Sequence, residues 1–369
     1  FFRQHLYGLF QEVDYNTQVY FVTKKDDYFK LKSKRIKYLP ILIHRNPSPI
    51  DLFTLISYSI IRLKIKPDIS LSFTPKASLI NALTAFLPGK TIHYFTGQRW
   101  TNFRGLKLFL FKLIDYFVIK ISNKTYSDSF SQSKFISKQL NVTKPKVIHY
   151  GSLSGVDLKK YTPKKIFLKN KISSDSNTNL IKFKKLIIEA KSNKDILIFG
   201  FVGRINLDKG IDLLIKAFQK HNRRFISNKL IILGPLEIDK DYFKALINNN
   251  KNILHINYTD QPQNFYPEFD MLLLPSLREG FGSVIIEAAA CKVPTISTKI
   301  PGPIDFIKHK QNGYFIKKSS INSILKSLNF FASNKYLISK MGENAYDLVL
   351  KKYSRKSISK KFTNEFGIY

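Results

Sequence analysis

The sequence predicts an α/β protein with two doubly wound parallel sheets. Short apolar segments alternate with longer amphipathic segments along most of the 369 residues, and this alternation of strands and helices is typical of parallel sheets. The length favours two domains over one. A polar segment also separates two halves that show the same alternation. We therefore predict two Rossmann-like domains that face each other across a ligand-binding cleft.

The predicted domain boundary is the polar segment Lys159–Asn179, KKYTPKKIFLKNKISSDSNTN, which is rich in Lys, Ser, Asn and Thr. We predict an N-terminal domain over residues 1–158, a linker with a helix over 159–194, and a C-terminal domain over 195–349. A last helix, at about 350–369, is expected to pack back on the first domain.

In the N-terminal half, FFRQHLYGLFQEV predicts the first helix, so we expect the strand and loop that normally precede such a helix to be missing from this chain. The strand patterns that follow are TQVYFVT, YLPILIH, DISLSF, KTIHYFTG, KTYSDS and KVIHYGS. Helical patterns lie from Pro49 to about Ile65, in TPKASLINALTAFL, and in LKLFLFKLIDYFVIKIS at Leu106–Ser122. This last helix is amphipathic, and it packs in the domain core or, alternatively, faces a membrane.

The C-terminal half shows the same order after a helix from about Leu180 to Lys191. Its strand patterns are DILIFGFVG, NKLIILG, NILHINY, FDMLLLP and VPTIST, and its helical patterns are GIDLLIKAFQKHN, YFKALINN and VIIEAAAC. In such domains, ligands bind outside the carboxyl ends of the strands, so the loops that follow these strands are the candidate site.

Charge is the unusual feature of the composition. The chain has 61 Lys and Arg against 26 Asp and Glu, which gives a net charge of +35. Asn, Ile, Phe and Tyr are abundant together with Lys, which is the composition that AT-rich coding sequences produce. We attribute part of the basic excess to this coding bias. The remainder favours an anionic partner, either nucleic acid or an acidic membrane face.

Several kinds of site are excluded by the composition. The single cysteine, Cys291, excludes an internal disulfide framework and a Cys-rich zinc site, and we interpret it as a packed, small apolar residue. The seven His are scattered, so we predict no structural metal. The sequence lacks the run of about 18 apolar residues that a membrane-spanning helix needs, and nothing in it resembles a signal peptide.

The first motif with functional chemistry is FGFVGRINLDKG at Phe199–Gly210. A buried strand ends near Gly203, Arg204 follows it, and Lys209 precedes a helix. Two cations at the carboxyl end of a strand can hold a diphosphate, because Arg offers a planar fork and Lys a point charge. The alternative is that both are solvated loop charges.

The second motif is the loop SLREGFGS, which leads into the helix VIIEAAAC. The helix N-terminus offers free amides near Gly282 and Ser283, and its dipole favours an anion. Glu279 can accept hydrogen bonds from sugar hydroxyls, and Glu287 stands among apolar residues, where a carboxylate needs a partner. The alternatives are helix capping for Glu279 and a buried salt bridge for Glu287.

REGFGSVIIEAAA resembles the E-x7-E motif of glycosyltransferase family 4, the retaining enzymes with the GT-B fold. GFVGRINLDKG resembles their diphosphate clamp, LIILGPLE the strand and loop that follow it, and GSLSGVDLKKYTP their hinge segment. SFTPKASLINAL and HYFTGQRW resemble a bacterial polysaccharide subgroup that glycosylates lipid-linked precursors. The resemblance covers nearly the whole chain, with the motifs in family order.

The resemblance implies a role for each motif residue. Glu279 would bind donor-sugar hydroxyls, Glu287 the ribose, and Arg204 and Lys209 the diphosphate; Glu279, Arg204 and Lys209 are the implied catalytic residues. The remaining implied donor contacts are Gly203, Gly280, Phe281, Gly282 and Ser283, with Tyr258 and Asp260 near the base. The implied acceptor-side residues are Thr74, Lys76, Thr96, Gly97 and Gln98. Thr96 stands where many relatives carry a His, and His93 is expected to point elsewhere.

The implied activity is transfer of a sugar, with retention of its anomeric configuration, from a nucleotide diphosphate sugar to a hydroxyl of a lipid-linked or polysaccharide acceptor. The subgroup suggests a UDP-sugar donor and a role in capsule, O-antigen or exopolysaccharide synthesis. We expect no cofactor and no metal, although Asp239–Asp241 has the form of a D-x-D motif. We expect a cytoplasmic protein attached to the anionic inner face of the cell membrane, released by high salt, with no nucleic-acid partner.

Two other functions stay open. A sugar-nucleotide epimerase or hydrolase of the GT-B fold would need acid-base carboxylates or His in the cleft. A nucleic-acid-binding protein would account for the net charge, and aromatic residues at 14% of the chain could stack on bases. The basic residues are, however, spread along the chain, and no nucleic-acid-binding module is recognisable.

Overall fold

The computed structural model describes residues 6, 9–10, 17–24, 36–44, 48–164, 178–193 and 195–367. The chain forms two compact units, one made of Phe1–Ser154 with Arg355–Tyr369 and the other of Gly155–Ser354. Every strand pairing among the described residues is parallel, so the predicted α/β class is confirmed. Most of the predicted first helix and part of the predicted linker lie outside the described residues.

The first unit is built on parallel strands covered by helices. Its strands are β1 (Val19–Thr23), β2 (Ile36–Pro40), β3 (Ile69–Ser72), β4 (Lys90–Phe95) and β5 (Lys124–Ser127). Its helices in this part of the chain are α1 (Asp51–Ile65), α2 (Pro75–Leu83), α3 (Gly105–Ile121) and α4 (Phe130–Leu140), with a 3-10 turn at Arg99–Asn102. β1 pairs with β2, and β4 lies between β3 and β5.

The second unit is a six-stranded parallel sheet among the described residues. Its strands are β6 (Ile198–Val202), β7 (Lys229–Leu233), β8 (Ile253–Ile256), β9 (Met271–Leu274), β10 (Thr295–Thr298) and β11 (Gly313–Ile316). Its helices are α5 (Thr178–Ser192), α6 (Ile211–Asn222), α7 (Lys240–Ile247), α8 (Ser283–Ala290), α9 (Pro303–Phe306), α10 (Ile321–Ser333) and α11 (Tyr336–Lys352). The last helix, α12 (Arg355–Phe366), belongs to the first unit.

The strand order of the second sheet is β8-β7-β6-β9-β10-β11, so the direction of winding reverses between β6 and β9. Such a reversal leaves a crevice at the carboxyl ends of the two central strands, because the connections that follow them turn to opposite faces. The loops after β6 and β9 carry the two motifs that the sequence singled out. The topology therefore positions both motifs at one edge of one sheet.

Both faces of this sheet are buried, which explains its almost uninterrupted apolar strands. Phe199 and Phe201 of β6 face one core with Phe218 of α6, whereas Ile198 of the same strand faces a second core with Phe183 of α5. Alternate residues of one strand thus reach opposite helical layers.

One predicted strand is wrong. KVIHYGS forms no strand: only Lys146 makes an isolated parallel bridge, to Tyr126. The chain then turns, because His149 has a φ of 53° and Gly151 a φ of 87°. Two left-handed residues so close together cannot continue an extended strand.

The buried guanidinium of Arg62 ties the helices of the first unit to its sheet. Arg62 is 1% exposed. Its Nε donates to Pro88 O at 2.9 Å, and its Nη2 donates to Gly89 O at 2.7 Å and to Thr91 Oγ1 at 2.9 Å. Nη1 donates to the Thr84 hydroxyl at 3.1 Å. All these acceptors are neutral, and burial lowers the pKa of the guanidinium from its usual value.

We expect Arg62→Leu to destabilise the first unit by about 3 kcal/mol or more, because it leaves several buried acceptors unpaired. Arg62→Lys should fall between the wild type and this variant, since an ammonium cannot reproduce the planar fork. Urea unfolding followed by circular dichroism measures both. Arg104→Leu, at an exposed arginine of the same unit, is the matched control and should change stability by less than about 0.5 kcal/mol. Equal effects at the two positions would contradict a structural role for the Arg62 network.

Candidate active site

Two loops of the second unit meet at the reversal of strand order. The loop after β6 and the loop after β9 are joined by a hydrogen bond from Leu277 N to Asp208 O at 2.8 Å. Arg278 Nη2 adds an ion pair with Asp208 Oδ2 at 2.7 Å. These contacts hold the two sequence motifs against each other.

Lys209 and Glu279 form an ion pair where these loops meet. Lys209 Nζ lies 2.5 Å from Glu279 Oε1, and Ser276 Oγ donates to the same oxygen at 2.7 Å. The side chains of Lys209 and Glu279 are 20% and 8% exposed. Partial burial strengthens their attraction compared with a pair in bulk water. The structure therefore brings together one predicted cation and one predicted carboxylate from motifs 70 residues apart.

Glycines allow the backbones around this pair to approach closely. Gly210 has a φ of 68°, and a Cβ there would lie 2.4 Å from Pro275 O. Gly302 has a φ of 98°, and a Cβ there would lie 2.0 Å from Gly280 O. A larger residue at either position would push the Glu279 loop away from its neighbours.

Helix α8 begins directly after this loop. Its N-cap is Gly282, which has no side chain. The amides of the first turn, including that of Ser283, therefore receive no hydrogen bond from a capping side chain. The helix N-terminus therefore adds positive potential beside Lys209. Phe281 is buried, and its ring lies 5.4 Å from that of Tyr353, so its side chain supports the loop from within the core.

Glu287, in the second turn of α8, accepts a hydrogen bond from the hydroxyl of Tyr266 at 2.7 Å. Burial, and then the charge of Glu287, raise the pKa of Tyr266 well above its usual value, so the phenol stays protonated and donates. Burial also raises the pKa of the Cys291 thiol, with Glu287 adding to the shift. A protonated, buried thiol is consistent with packing as the role of Cys291.

Arg204 lies on the loop after β6 but pairs with a residue that follows β7. Its Nη1 contacts Glu237 Oε2 at 2.8 Å and Oε1 at 3.1 Å, while Asn206 Nδ2 donates to Oε2 at 2.9 Å. The Arg204 side chain is 42% exposed, so it can exchange this partner for an anion. Glu237 is the last residue of LIILGPLE, and the sequence pattern does not indicate a role for it.

The remaining donor-side residues are on the surface or close to the strand ends. Gly203 directly follows β6. Tyr258 and Asp260 are exposed after β8, the edge strand beside β7. Asp239 caps α7 by accepting hydrogen bonds from the amides of Asp241 and Tyr242, so the D-x-D pattern here forms a helix start.

A small cavity opens beside β4 in the first unit. Its wall is formed by Phe73, Pro75, His93, Phe95, Thr96, Gly97, Gln98, Arg99, Trp100, Phe111 and Asp115. Three of the predicted acceptor-side residues, Thr96, Gly97 and Gln98, therefore lie together. Thr74 and Lys76 are not part of this wall: Thr74 precedes the first turn of α2, and Lys76 Nζ pairs with Asp51 Oδ1 at 2.7 Å.

His93 lies on the cavity wall, so the expectation that it points elsewhere was wrong. Its side chain extends from β4, where alternate residues face opposite sides of the sheet. Its Nδ1 is 3.0 Å from Ser72 Oγ. Burial lowers the pKa of His93 to about 3, so the ring is neutral at physiological pH.

Gln98 contributes an unpaired amide to this cavity. The residue is 2% exposed, and neither Nε2 nor Oε1 has a hydrogen-bond partner among the described residues. A buried amide without partners destabilises the fold by about 1–3 kcal/mol. A ligand that both donates and accepts hydrogen bonds would satisfy it.

Asp115, on α3, is also part of the cavity wall. Trp100 Nε1 donates to Asp115 Oδ2 at 2.7 Å. Burial raises the pKa of this carboxyl to about 7, and the Trp100 hydrogen bond reduces the shift. The first unit therefore contains a carboxyl that titrates near neutrality.

Comparisons with known proteins agree with the motifs and the topology. A family model described as Glycosyl transferases group 1 matches residues 182–348. The chain is 28% identical over 326 residues to the capsular polysaccharide biosynthesis glycosyltransferase CapM of Staphylococcus aureus. This alignment covers 86% of this chain and 81% of CapM. It is 26% identical over 307 residues to the UDP-Gal:alpha-D-GlcNAc-diphosphoundecaprenol alpha-1,3-galactosyltransferase of Escherichia coli, over 80% of this chain and 74% of that enzyme.

The chain is a glycosyltransferase. The matched residues support the group 1 family of these enzymes. Among solved structures, Anabaena HepE in complex with UDP and glucose aligns at a TM-score of 0.69 with 15% identity, over 90% of this enzyme and 86% of HepE. This similarity, together with the parallel sheets, confirms the predicted GT-B fold.

We expect the contribution of Asp115 to the stability of the enzyme to fall as pH rises from about 4 through about 7, because this carboxyl must then ionise in a buried site. The raised pKa means that the folded state holds this proton more tightly than the unfolded state does. Each pKa unit corresponds to about 1.4 kcal/mol. Asp115→Asn keeps an acceptor for Trp100 but never ionises, so its stability should vary less with pH in this range.

Urea unfolding of the wild type and Asp115→Asn at pH 5 and pH 8 tests this expectation. Asp68→Asn, at an exposed aspartate of the same unit, is the matched control and should keep the wild-type pH dependence. An unchanged pH dependence in Asp115→Asn would show that this carboxyl does not titrate differently on folding.

Proposed function

We propose that this enzyme transfers a sugar from a nucleotide diphosphate sugar to an acceptor hydroxyl with retention of anomeric configuration. The observation that carries the proposal is the Lys209–Glu279 pair at the N-terminus of α8. In this proposal the cation would hold the diphosphate and the adjacent carboxylate would bind the sugar hydroxyls. The complex of HepE with UDP and glucose, and the UDP-Gal donor in the name of the Escherichia coli relative, support a UDP-sugar as the donor.

Stabilisation of the leaving group is the proposed main source of catalysis. As the bond between the sugar and the diphosphate breaks, negative charge develops on the phosphate oxygens. Lys209, Arg204 and the amides at the start of α8 would stabilise that charge. Arg204 would exchange Glu237 for the diphosphate, which its exposed position allows.

Glu279 has two proposed roles. Its carboxylate accepts hydrogen bonds from donor-sugar hydroxyls, and it also holds Lys209 in position, as the 2.5 Å contact indicates. Ser276 fixes the carboxylate from the other side. Glu287 would hold the ribose hydroxyls, with Tyr266 keeping its carboxylate in one orientation.

The proposed route to retention needs no dedicated base. The resemblance to family 4 implies that the departing phosphate takes the acceptor proton on the face from which it leaves. This makes correct placement of the acceptor hydroxyl the main requirement of the first unit. We assign acceptor contacts to the cavity of Thr96, Gly97 and Gln98.

The proposed acceptor is a lipid-linked or polysaccharide glycan in cell-surface polysaccharide synthesis. CapM is named for capsular polysaccharide biosynthesis, and the Escherichia coli relative is named for an acceptor on diphosphoundecaprenol. The net charge of +35 would attract the enzyme to an anionic membrane face, where such acceptors reside.

We expect Lys209→Ala, Arg204→Ala and Glu279→Ala each to lower kcat by about 100-fold or more, because each removes a charged contact made to the donor in the transition state. Turnover of a radiolabelled panel of nucleotide sugars measures the loss, after a thermal-shift screen has identified the donor. Lys335→Ala, which removes an ion pair with Asp195 elsewhere in the unit, is the matched control and should leave turnover unchanged.

Two results would count against the proposal. Wild-type turnover in both Glu279→Ala and Arg204→Ala would refute the site. A product with inverted anomeric configuration, measured by NMR of the product glycan, would refute the retaining mechanism but not the assignment of the site residues.

We expect Gln98→Leu to raise the KM for the acceptor at least about tenfold and to stabilise the free enzyme, because it removes an unpaired buried amide that the acceptor would satisfy. Donor KM should not change. Steady-state kinetics with each substrate varied, together with thermal unfolding, separates the two effects. Unchanged acceptor KM in a stabilised variant would exclude Gln98 from the acceptor site.

A further inference from the structure

The loops that follow β6 and β7 pair with each other beyond the ends of the two strands. Ile205 N donates to Pro235 O at 2.9 Å, and Glu237 N donates back to Ile205 O at 2.9 Å. Ile205 is fully buried, so this short ladder is anchored in the core of the unit. The backbones of Arg204 and Glu237 are therefore held side by side, and the contact between their side chains is set by the fold.

Glu237 occupies one nitrogen of the Arg204 guanidinium. Both of its oxygens contact Nη1, at 3.1 Å and 2.8 Å. Among the described residues, no side chain contacts Nη2 or Nε of Arg204. A guanidinium has five N–H donors, so its remaining edge can meet phosphate oxygens while Nη1 still holds the carboxylate. Exchange of Glu237 for a diphosphate can thus pass through a state in which both anions contact Arg204.

Asn206 holds the Glu237 carboxylate independently of Arg204. Its Nδ2 donates to Glu237 Oε2 at 2.9 Å. The other end of the same amide is also engaged, because Asn206 Oδ1 accepts from Lys209 N at 3.1 Å and caps the 3-10 turn Leu207–Lys209. We therefore expect Glu237 to stay beside Arg204 when a diphosphate displaces it, rather than to turn into solvent.

The product of the proposed reaction carries more negative charge than the donor. In a nucleotide diphosphate sugar, the terminal phosphate is esterified to the sugar and carries a single negative charge. After transfer, the same phosphate is free and is largely a dianion at neutral pH. Arg204 and Lys209 therefore attract the product more strongly than the donor. Tight product binding would slow turnover, because product release limits kcat in many enzymes.

We propose that Glu237 competes with the nucleoside diphosphate product for Arg204 and thereby speeds its release. The carboxylate returns to Nη1 as the phosphate moves away, and until then its charge repels the phosphate from the position that Asn206 maintains. The product, with its additional charge, is repelled more strongly than the donor. This role rests on the proposed function, because it assumes that Arg204 binds the diphosphate.

Binding of UDP to the full chain, measured by isothermal titration calorimetry, tests this role. Glu237→Gln keeps the size of the side chain but removes its charge, so it should lower the Kd for UDP at least about threefold, the scale of a partly exposed ion pair. The rate constant for UDP dissociation should fall by a similar factor, and UDP should become a stronger product inhibitor. A purely structural contact predicts the opposite sign, because its loss would loosen the loop and weaken binding.

The matched control is Glu343→Gln. Glu343 pairs with Lys292 at 2.8 Å in the same unit and is 52% exposed, so the substitution changes the net charge equally and should leave the Kd for UDP unchanged. The gain should also require Arg204. In the Arg204→Ala background, Glu237→Gln should change the Kd for UDP by less than about twofold, which a double-mutant cycle of the four proteins measures.

Three results would overturn this role alone: unchanged or weaker UDP binding by Glu237→Gln, an equal gain with and without Arg204, or an equal gain in Glu343→Gln. In each of these cases the proposed donor site stands, provided that Arg204→Ala weakens UDP binding. Wild-type affinity for UDP in Arg204→Ala, or no UDP binding by the wild type, would overturn the role of Glu237 together with the proposed donor site.

Discussion

The reversal of strand order between β6 and β9 is the constraint on which the site of the second unit depends. It brings two loops from distant parts of the chain to one sheet edge, where they form hydrogen bonds and ion pairs with each other. The Lys209–Glu279 pair forms only because of this placement. Gly210 and Gly302 then permit the backbone contacts that hold the pair in position.

The charged groups of this site hold one another. Lys209 is paired with Glu279, Arg204 with Glu237, and Arg278 with Asp208. Such pairs keep cations at fixed positions without leaving them uncompensated in a partly buried place. For the proposed anionic donor, these cations are already oriented, which would lower the reorganisation required on binding.

The first unit buries several polar side chains beside its apolar core. Arg62, Gln98 and Asp115 are buried, whereas leucines and phenylalanines of α1 and α3 face outward. Arg62 and Asp115 have hydrogen-bond partners within the unit, but the Gln98 amide has none among the described residues. The hydrogen bonds of Arg62 and Asp115 stabilise the unit. The Gln98 amide is the group whose hydrogen bonds a ligand would supply.

The sequence by itself determined the fold class and both motifs of the second unit, because buried parallel strands are continuous apolar runs and their loops carry the polar residues. It also predicted helix α3, but its periodicity could not decide whether the apolar face met a core or a lipid, since both environments select the same residues. Only the tertiary structure decided that this face is exposed, that Arg204 meets Glu237, and that Tyr266 meets Glu287. It also decided that KVIHYGS turns and that His93 reaches the cavity. The physical reason is that contacts between residues far apart in the chain depend on how strands and helices pack, and local pattern carries no information about which distant side chain will be the partner.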